Sequence, residues 1–239
     1  MVIQAKGLSY REINDRLRGP DTSYTIRDCL GQRFLCAGMS ECSVTLEGVP
    51  GNALGAYLNG GTITVRGNAQ DAVGDTMNDG RIVIHGNTGD AAGYAMRGGS
   101  IYIRGNAGYR AGIHMKAYED KVPLMVIGGR AGSFLGEYQA GGIIIVLNLE
   151  TPQKKCVGFF PCTGMHGGKV FLRSVCRDVV FPEQVSARPA CGDDKRELRG
   201  YLAEYCGIFG LDPDGILSAP FTVVTPDSQN PYRQMYVSN

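Results

Sequence analysis

A chain of 239 residues is long enough for one or two domains with a substantial core. Its net charge is +1 and 20% of its residues are charged, a balance that argues against a nucleic-acid patch or an acidic tail. Residues 1–6 lack the apolar run of a secretory signal, and the longest apolar run, 143–147, is too short to span a membrane. The expectation is a cytoplasmic protein with neither nucleic acid nor membrane as partner.

Cysteines stand at 29, 36, 42, 156, 162, 176, 191 and 206, with no CxxC. Without a secretory signal they read as thiols, mostly small buried hydrophobes. No metal is assigned to the chain, because ligand pairs normally sit two to four residues apart and these spacings are wider.

Residues 1–22 read as an N-terminal cap of one strand and one helix. Ser9 caps the helix with Glu12 three residues on, a capping box. Leu8, Ile13 and Leu17 give its apolar stripe, and Gly19-Pro20 ends it.

From 23 to 175 the chain repeats. Gly48, Gly67, Gly86 and Gly105 step by 19 residues, and Gly55, Gly74, Gly93 and Gly112 keep the same step seven residues later. Gly129 and Gly136 resume the pair after an insertion. Residues 24–39 look like a degenerate first coil, with Gly31 and Gly38 keeping the seven-residue spacing. A fixed period of this kind marks a solenoid. Each unit opens with a short alternating strand, as in Thr62-Ile-Thr-Val-Arg-Gly-Asn and Arg81-Ile-Val-Ile-His-Gly-Asn. Alternation turns Val44, Leu46, Ile63, Val65, Ile82, Ile84, Ile101 and Ile103 inward, and Thr45, Thr64, Val83 and Tyr102 outward. Stacking places Ile63, Ile82 and Ile101 in one aliphatic column and Leu58, Met77, Met96 and Met115 in another. Asn68, Asn87 and Asn106 form an amide ladder. The glycines serve corners that need positive φ or close backbone approach.

Two breaks interrupt the rhythm. Residues 117–123 add five residues after Lys116, and 149–157 form a polar loop. A last coil follows, in which Gly164-Met-His-Gly-Gly echoes Gly93-Tyr-Ala-Met-Arg-Gly-Gly. Residues 176–239 read as a helix from Asp193-Asp194 to about Phe209, a strand at 221–224 and an extended tail, which caps the far end or reaches a partner. The fold expected is all-β: a single-stranded right-handed parallel β-helix of about six or seven coils with short helical caps at both ends. A hexapeptide helix is disfavoured by the period of 19. Calcium-binding nonapeptide repeats fail because Asp71 and Asp90 are followed by Tyr109 in the same place.

The Gly-x6-Gly repeats, above all Gly86-Asn-Thr-Gly-Asp-Ala-Ala-Gly93 and Gly105-Asn-Ala-Gly-Tyr-Arg-Ala-Gly112, resemble the GXGXG β-helix domain that closes the large subunit of glutamate synthase. That domain also occurs in one of the subunits of formylmethanofuran dehydrogenase. Ala5-Lys-Gly-Leu-Ser-Tyr-Arg-Glu-Ile-Asn14, Phe134-Leu-Gly-Glu-Tyr138, Gly164-Met-His-Gly-Gly168 and Pro231-Tyr232 resemble the stand-alone archaeal-type glutamate synthase subunits, with Gln139 standing where Met is expected. The resemblance implies a non-catalytic scaffold in a complex that makes glutamate from glutamine and 2-oxoglutarate. Its implied partners are a glutamine amidotransferase subunit and an FMN-dependent glutamate synthase subunit. FMN and an iron–sulfur cluster belong to those partners, and no cofactor is expected in this chain. A formylmethanofuran dehydrogenase or N-methylglutamate synthase complex is the alternative, and a self-sufficient carbohydrate-active β-helix enzyme the remote one.

The residues themselves offer no catalytic assignment. Val2 follows Met1, so no N-terminal cysteine nucleophile is present, and the glycine motifs recur every coil, which a phosphate-cradling loop does not. His85 reads as a solvated residue beside Arg66 and Arg104. The expected partner-binding residues are Tyr109, Arg110, His114, Lys116, Tyr118, Glu119 and His166, with the tail; the tail could alternatively pair with a second copy of the chain.

Overall fold

The structure is a computed structural model and describes residues 1–227; the expected tail, including Pro231-Tyr232, lies beyond 227, outside the described residues. Nine strands lie side by side in chain order, all parallel: β1 (Val2–Gln4), β2 (Ser23–Leu30), β3 (Ser43–Val49), β4 (Asn59–Val65), β5 (Asp79–Ile84), β6 (Ser100–Ile103), β7 (Leu124–Ile127), β8 (Ala140–Val146) and β9 (Gly167–Leu172). Parallel neighbours one repeat apart, joined through a corner-turning arc, make a parallel β-helix with one strand per coil. Strands β2 to β9 give about eight coils, against the six or seven expected. The surplus lies at the ends, where β2 pairs along its length with β3 and β9 along its length with β8.

The inward columns are those expected. Val44, Ile63, Ile82 and Ile101 pair in turn, as do Leu46, Val65, Ile84 and Ile103, and all are buried. At roughly 1.5–3 kcal/mol for each buried aliphatic side chain, these columns are the main source of stability. Leu58, Met77, Met96 and Met115 are buried too, and the column continues through Gln139 and Met165. Gln139 is fully buried; its Nε2 donates to the carbonyls of Gly141 and Gly142 at 3.2 and 3.0 Å, and its Oε1 has no partner among the described residues.

The ladder forms, bonded chiefly from each side chain to the backbone of the next coil, with one side-chain contact from Asn87 Nδ2 to Asn68 Oδ1 at 3.4 Å. The Oδ1 of Asn68 accepts the backbone N–H of Asn87, Asn87 that of Asn106, and Asn106 that of Arg130, at 2.7–2.8 Å. Asp71 and Asp90 form a second ladder, accepting the N–H of Asp90 and of Tyr109. Each side chain thus serves a backbone group that the corner leaves unpaired.

The two glycine columns have different reasons. Gly55, Gly74, Gly93, Gly112 and Gly136 hold φ of 63–70°. In the other column Gly86, Gly105 and Gly129 are not left-handed; a Cβ at Gly86 would fall against Asn68 Oδ1 and 2.8 Å from the Gly67 carbonyl carbon. Gly67 itself has room, and Gly48 meets the backbone of Cys29. The first coil is out of the register expected. Cys29 pairs with Gly48, and Gly55 bonds the Leu35 carbonyl as Gly74 bonds that of Leu54. Cys29 and Cys36 therefore hold the glycine columns, and Gly31 and Gly38 lie two residues further on.

At the N-terminal end, helix α1 (Tyr10–Leu17) carries the expected capping box, and Ile13 and Leu17 are buried. The C-terminal segment does two things. Strands β10 (Val185–Pro189) and β11 (Thr222–Pro226) form an antiparallel pair, with β11 against β9, which covers the far edge of the sheet. Helix α2 (Gly192–Phe209) instead folds back over the outer face of the sheet, and a short helix α3 (Pro213–Leu217) follows. Cys191 is the N-cap of α2, Asp194 completes a capping box and Gly210 ends the helix in the left-handed conformation.

This corrects the outward column. Thr45 and Thr64 are half-buried, but Val83 and Tyr102 are buried, with Val126, Ile145 and Phe171 after them. They form a second core with Leu198, Leu202 and Tyr205 of α2. His85 is also not simply solvated: Phe209 packs edge-on at 5.4 Å, and burial, then Arg66, pushes its pKa down.

Candidate partner-binding face

The corner arcs turn left-handed at every second residue, as at Arg110, Gly112 and His114, or Phe134, Gly136 and Tyr138. The residues flanking the corner glycine therefore stack by column from coil to coil. In the middle coils they are small: Ala72, Thr76, Ala91 and Ala95 occupy them. In the later coils they are large, and an aromatic and cationic face results.

Arg110 sits at its centre. Its guanidinium lies 5.1 Å from the Tyr109 ring and 5.6 Å from that of Phe134, and its Nε is 2.8 Å from Glu137 Oε2. Glu137 is only 6% exposed, so the partnership anchors Arg110 against a buried carboxylate. Phe134 contacts Tyr109 and Phe160, which meets Phe159. Phe159 and Phe160 are 72% and 60% exposed. Beyond them a cleft of about 580 Å³ is lined by Arg130, Lys154, Lys155, Phe159, Phe160 and Val180. Large exposed apolar side chains grouped in this way mark interaction sites rather than scattered surface.

On the adjoining columns His114 stacks flat on Tyr138 at 5.2 Å and meets the edge of Tyr94. Lys116 and His166 line a second cleft with His114 and Tyr138. The 117–123 insertion forms a tight turn, with Tyr118 and Lys121 exchanging backbone hydrogen bonds. Lys121 reaches back to Asp79 at 2.8 Å, which holds the Asp79 carboxyl below its usual range. Tyr118 and Glu119 line a third cleft, which shares Arg97 with the second.

The structure thus brings Tyr109 and Arg110 into one cluster, His114, Lys116 and His166 into the next, and Tyr118 and Glu119 into a third beside it. Not foreseen were Phe134, Phe159, Phe160, Glu137, Tyr138 and Arg97. The 24-residue step from Gly105 to Gly129 and the longer one that follows shift Phe134, Glu137, Tyr138, Phe159 and Phe160 out of a period of 19, whereas Arg97 lies in the regular register.

All eight cysteines are thiols. Cys176 is held below the ordinary thiol range chiefly by a hydrogen bond from Cys156, whose own pKa is pushed up. Among the described residues no group of three or more His, Cys, Asp or Glu is placed to hold a metal ion, and no helix is long and apolar enough to cross a membrane.

Glycine-cornered coils with one strand each, closed by an antiparallel edge, define the molecule as a parallel β-solenoid protein. The chain belongs to the GXGXG motif family, whose model matches residues 12–224. It is 42% identical over 250 residues to the uncharacterised protein MJ1350 of Methanocaldococcus jannaschii, covering 99% of this chain and 96% of that one. Among solved structures it is similar to a chain of the formyltransferase/hydrolase complex from Methylorubrum extorquens in complex with methylofuran, with a TM-score of 0.62. That likeness covers 85% of this chain and 73% of the other at 22% identity, and so speaks to the fold.

Proposed function

We propose that this chain is a non-catalytic structural subunit of a glutamate synthase-like complex, in which glutamine and 2-oxoglutarate become glutamate. On this reading, an amidotransferase subunit and an FMN-dependent synthase subunit dock on it and supply the chemistry, the FMN and the iron–sulfur cluster. The observation that carries the reading is the exposed aromatic and cationic face from Tyr109 to Phe160 beside a stack of small corner residues. A rigid solenoid with one such face suits a part that holds others at fixed separation. The motif resemblance over 5–14, 134–138 and 164–168 supports the choice of complex.

A second reading is favoured by the fold-level similarity to a chain of the formyltransferase/hydrolase complex: a subunit of a formylmethanofuran dehydrogenase-type assembly. Purification of the tagged chain from its native cell, with mass spectrometry of what accompanies it, separates the two. Recovery of an amidotransferase and an FMN synthase, with glutamate formation that depends on adding this chain, is expected. Recovery of a molybdenum or tungsten enzyme instead overturns the glutamate synthase reading.

A further inference from the structure

One column of the corner carries an unbalanced charge. Four residues after each corner glycine, or after Cys162 that takes its place in the last coil, the chain places Asn59, Asn78, Arg97, Lys116, Ala140 and His166. Backbone hydrogen bonds keep them in register: Arg97 N–H to Met77, Lys116 to Met96, Ala140 to Met115 and His166 to Gln139, at 2.8–3.0 Å. The neighbouring column holds Ala95, His114, Tyr138 and Gly164. Small residues at 95 and 140 leave a cleft of about 290 Å³ between the larger ones.

Among the described residues no carboxylate lines this cleft, and Glu119, which lines the adjoining cleft with Arg97, forms no ion pair with it. Elsewhere on the molecule several cations are matched: Arg27 with Glu47, Arg81 with Glu204, Arg110 with Glu137, Lys121 with Asp79 and Lys169 with Glu197. Arg97 and Lys116 make no ion pair among the described residues, although they occupy one column in successive coils. Successive coils are about 4.8 Å apart, so the two positive side chains are neighbours and repel. Two rings flank them in fixed orientations. His114 is stacked on Tyr138. His166 donates from Nδ1 to the Gly164 carbonyl at 2.9 Å, which leaves Nε2 facing away from that bond. Paired donors on a rigid frame, a gap at Ala140 and missing negative charge together describe a site completed by an anion.

We propose that this cleft binds a small, multiply charged oxyanion, one bearing phosphate or carboxylate groups, with Arg97 and Lys116 as its charged partners and His114 and His166 at its sides. Its size suits an ion or a molecule of a few heavy atoms. The proposal concerns this chain alone and stands whichever complex the chain joins.

Three histidines make the test direct, since His85 lies under Phe209 of α2 and serves as an internal reference. The intact chain, with ring-labelled histidine, is titrated by NMR with inorganic phosphate and separately with citrate, at constant ionic strength in chloride. Saturable shifts of the His114 and His166 resonances, with His85 still, are expected for at least one of the two. A response to phosphate alone assigns a phosphate group, and a response to citrate alone a carboxylate. In the doubly substituted chain Arg97→Gln/Lys116→Gln the apparent Kd should rise at least about tenfold, the loss of a charge-assisted contact. These side chains are exposed, so the variant should melt with the parent. Ala140→Asp, which places a carboxylate in the gap, should abolish the response and melt above Ala140→Asn. No saturable shift with either anion overturns the proposal, as does binding that survives the double substitution.

Discussion

The two faces of one sheet hold their neighbours by different means. The inner face is closed by its own repetition: each strand buries the same aliphatic pair, so any coil completes the one before it. The outer face begins polar, with Thr25, Thr45 and Thr64 paired in series, and turns apolar from Val83 onward through Tyr102, Val126, Ile145 and Phe171. It is closed by α2, with α3 behind it, from far along the chain. Inner burial is periodic and local, outer burial unique and long-range. A substitution on the inner face should disturb the coil it sits in, whereas one on the outer face should release α2.

The largest break in that comparison should come from the inner corner. Gly86→Val drives a branched side chain into Asn68 and the Gly67 backbone and should cost more than any outer-face change, whereas Thr64→Val, on the uncovered outer face, should stay within about 0.5 kcal/mol. Equal melting temperatures for the two would undo the account of the corner. Next, Leu202→Ala should cost about 2–5 kcal/mol, because it empties a fully buried position of the outer core. Hydrogen exchange should show β5 to β7 still protected in that variant while α2 opens; simultaneous loss would mean the two faces fold as one unit.

A smaller effect is expected from Arg188, which binds Asp194 through both guanidinium nitrogens, at 2.6 and 3.0 Å, next to the cap of α2. That pairing holds the Asp194 carboxyl well below the usual carboxylate range. A depressed folded-state pKa contributes stability that is complete above the ordinary value near 4 and is lost as pH falls through the folded value. Arg188→Gln should therefore lower stability at neutral pH and flatten its decline on acidification, as read by melting between pH 7 and pH 2. An unchanged acid profile would rule out this pair as its source.

The smallest effect on folding should come from replacing 117–123 with Gly-Gly, which restores the 19-residue step and removes the ties of Lys121 to Asp79 and the Asn78 carbonyl together with the turn's own hydrogen bonds. Its melting temperature should fall little, while recovery of the partner subunits should fall, as measured by size exclusion; full recovery would exclude the insertion from the interface.

How much of this was readable in the sequence follows from the same division. Alternation and period are local, and they were enough to place Ile63, Ile82, Ile101, the methionine column and the asparagines. The register of the first coil escaped because cysteine replaces glycine at 29 and 36. The switch from Thr64 to Val83 in the outward column was visible, yet a tertiary partner is needed to give it meaning, and α2 lies a hundred residues away. The aromatic cluster was dispersed for another reason: Phe134 and Phe160 are 26 residues apart, and only stacking through two irregular coils brings them together at 5.3 Å. Of the candidate face, Tyr109, Arg110, His114 and His166 stood out in the sequence as irregularities, but the side chains that surround them did not.

Helix α2 runs across the strands against chain order. Glu197, near its start, binds Lys169 of β9, and Glu204, further along, takes a hydrogen bond from Tyr102 of β6 and an ion pair from Arg81 of β5. With 18 residues it is about 27 Å long, the height of between five and six coils. It acts as a measuring rod laid along the stack. Coils beneath it cannot be gained or lost without pulling these anchors out of alignment, while coils before β5 are free of the constraint. Length variation between related chains should therefore collect ahead of residue 79, and grafting an extra 19-residue unit should succeed there and fail between β5 and β9.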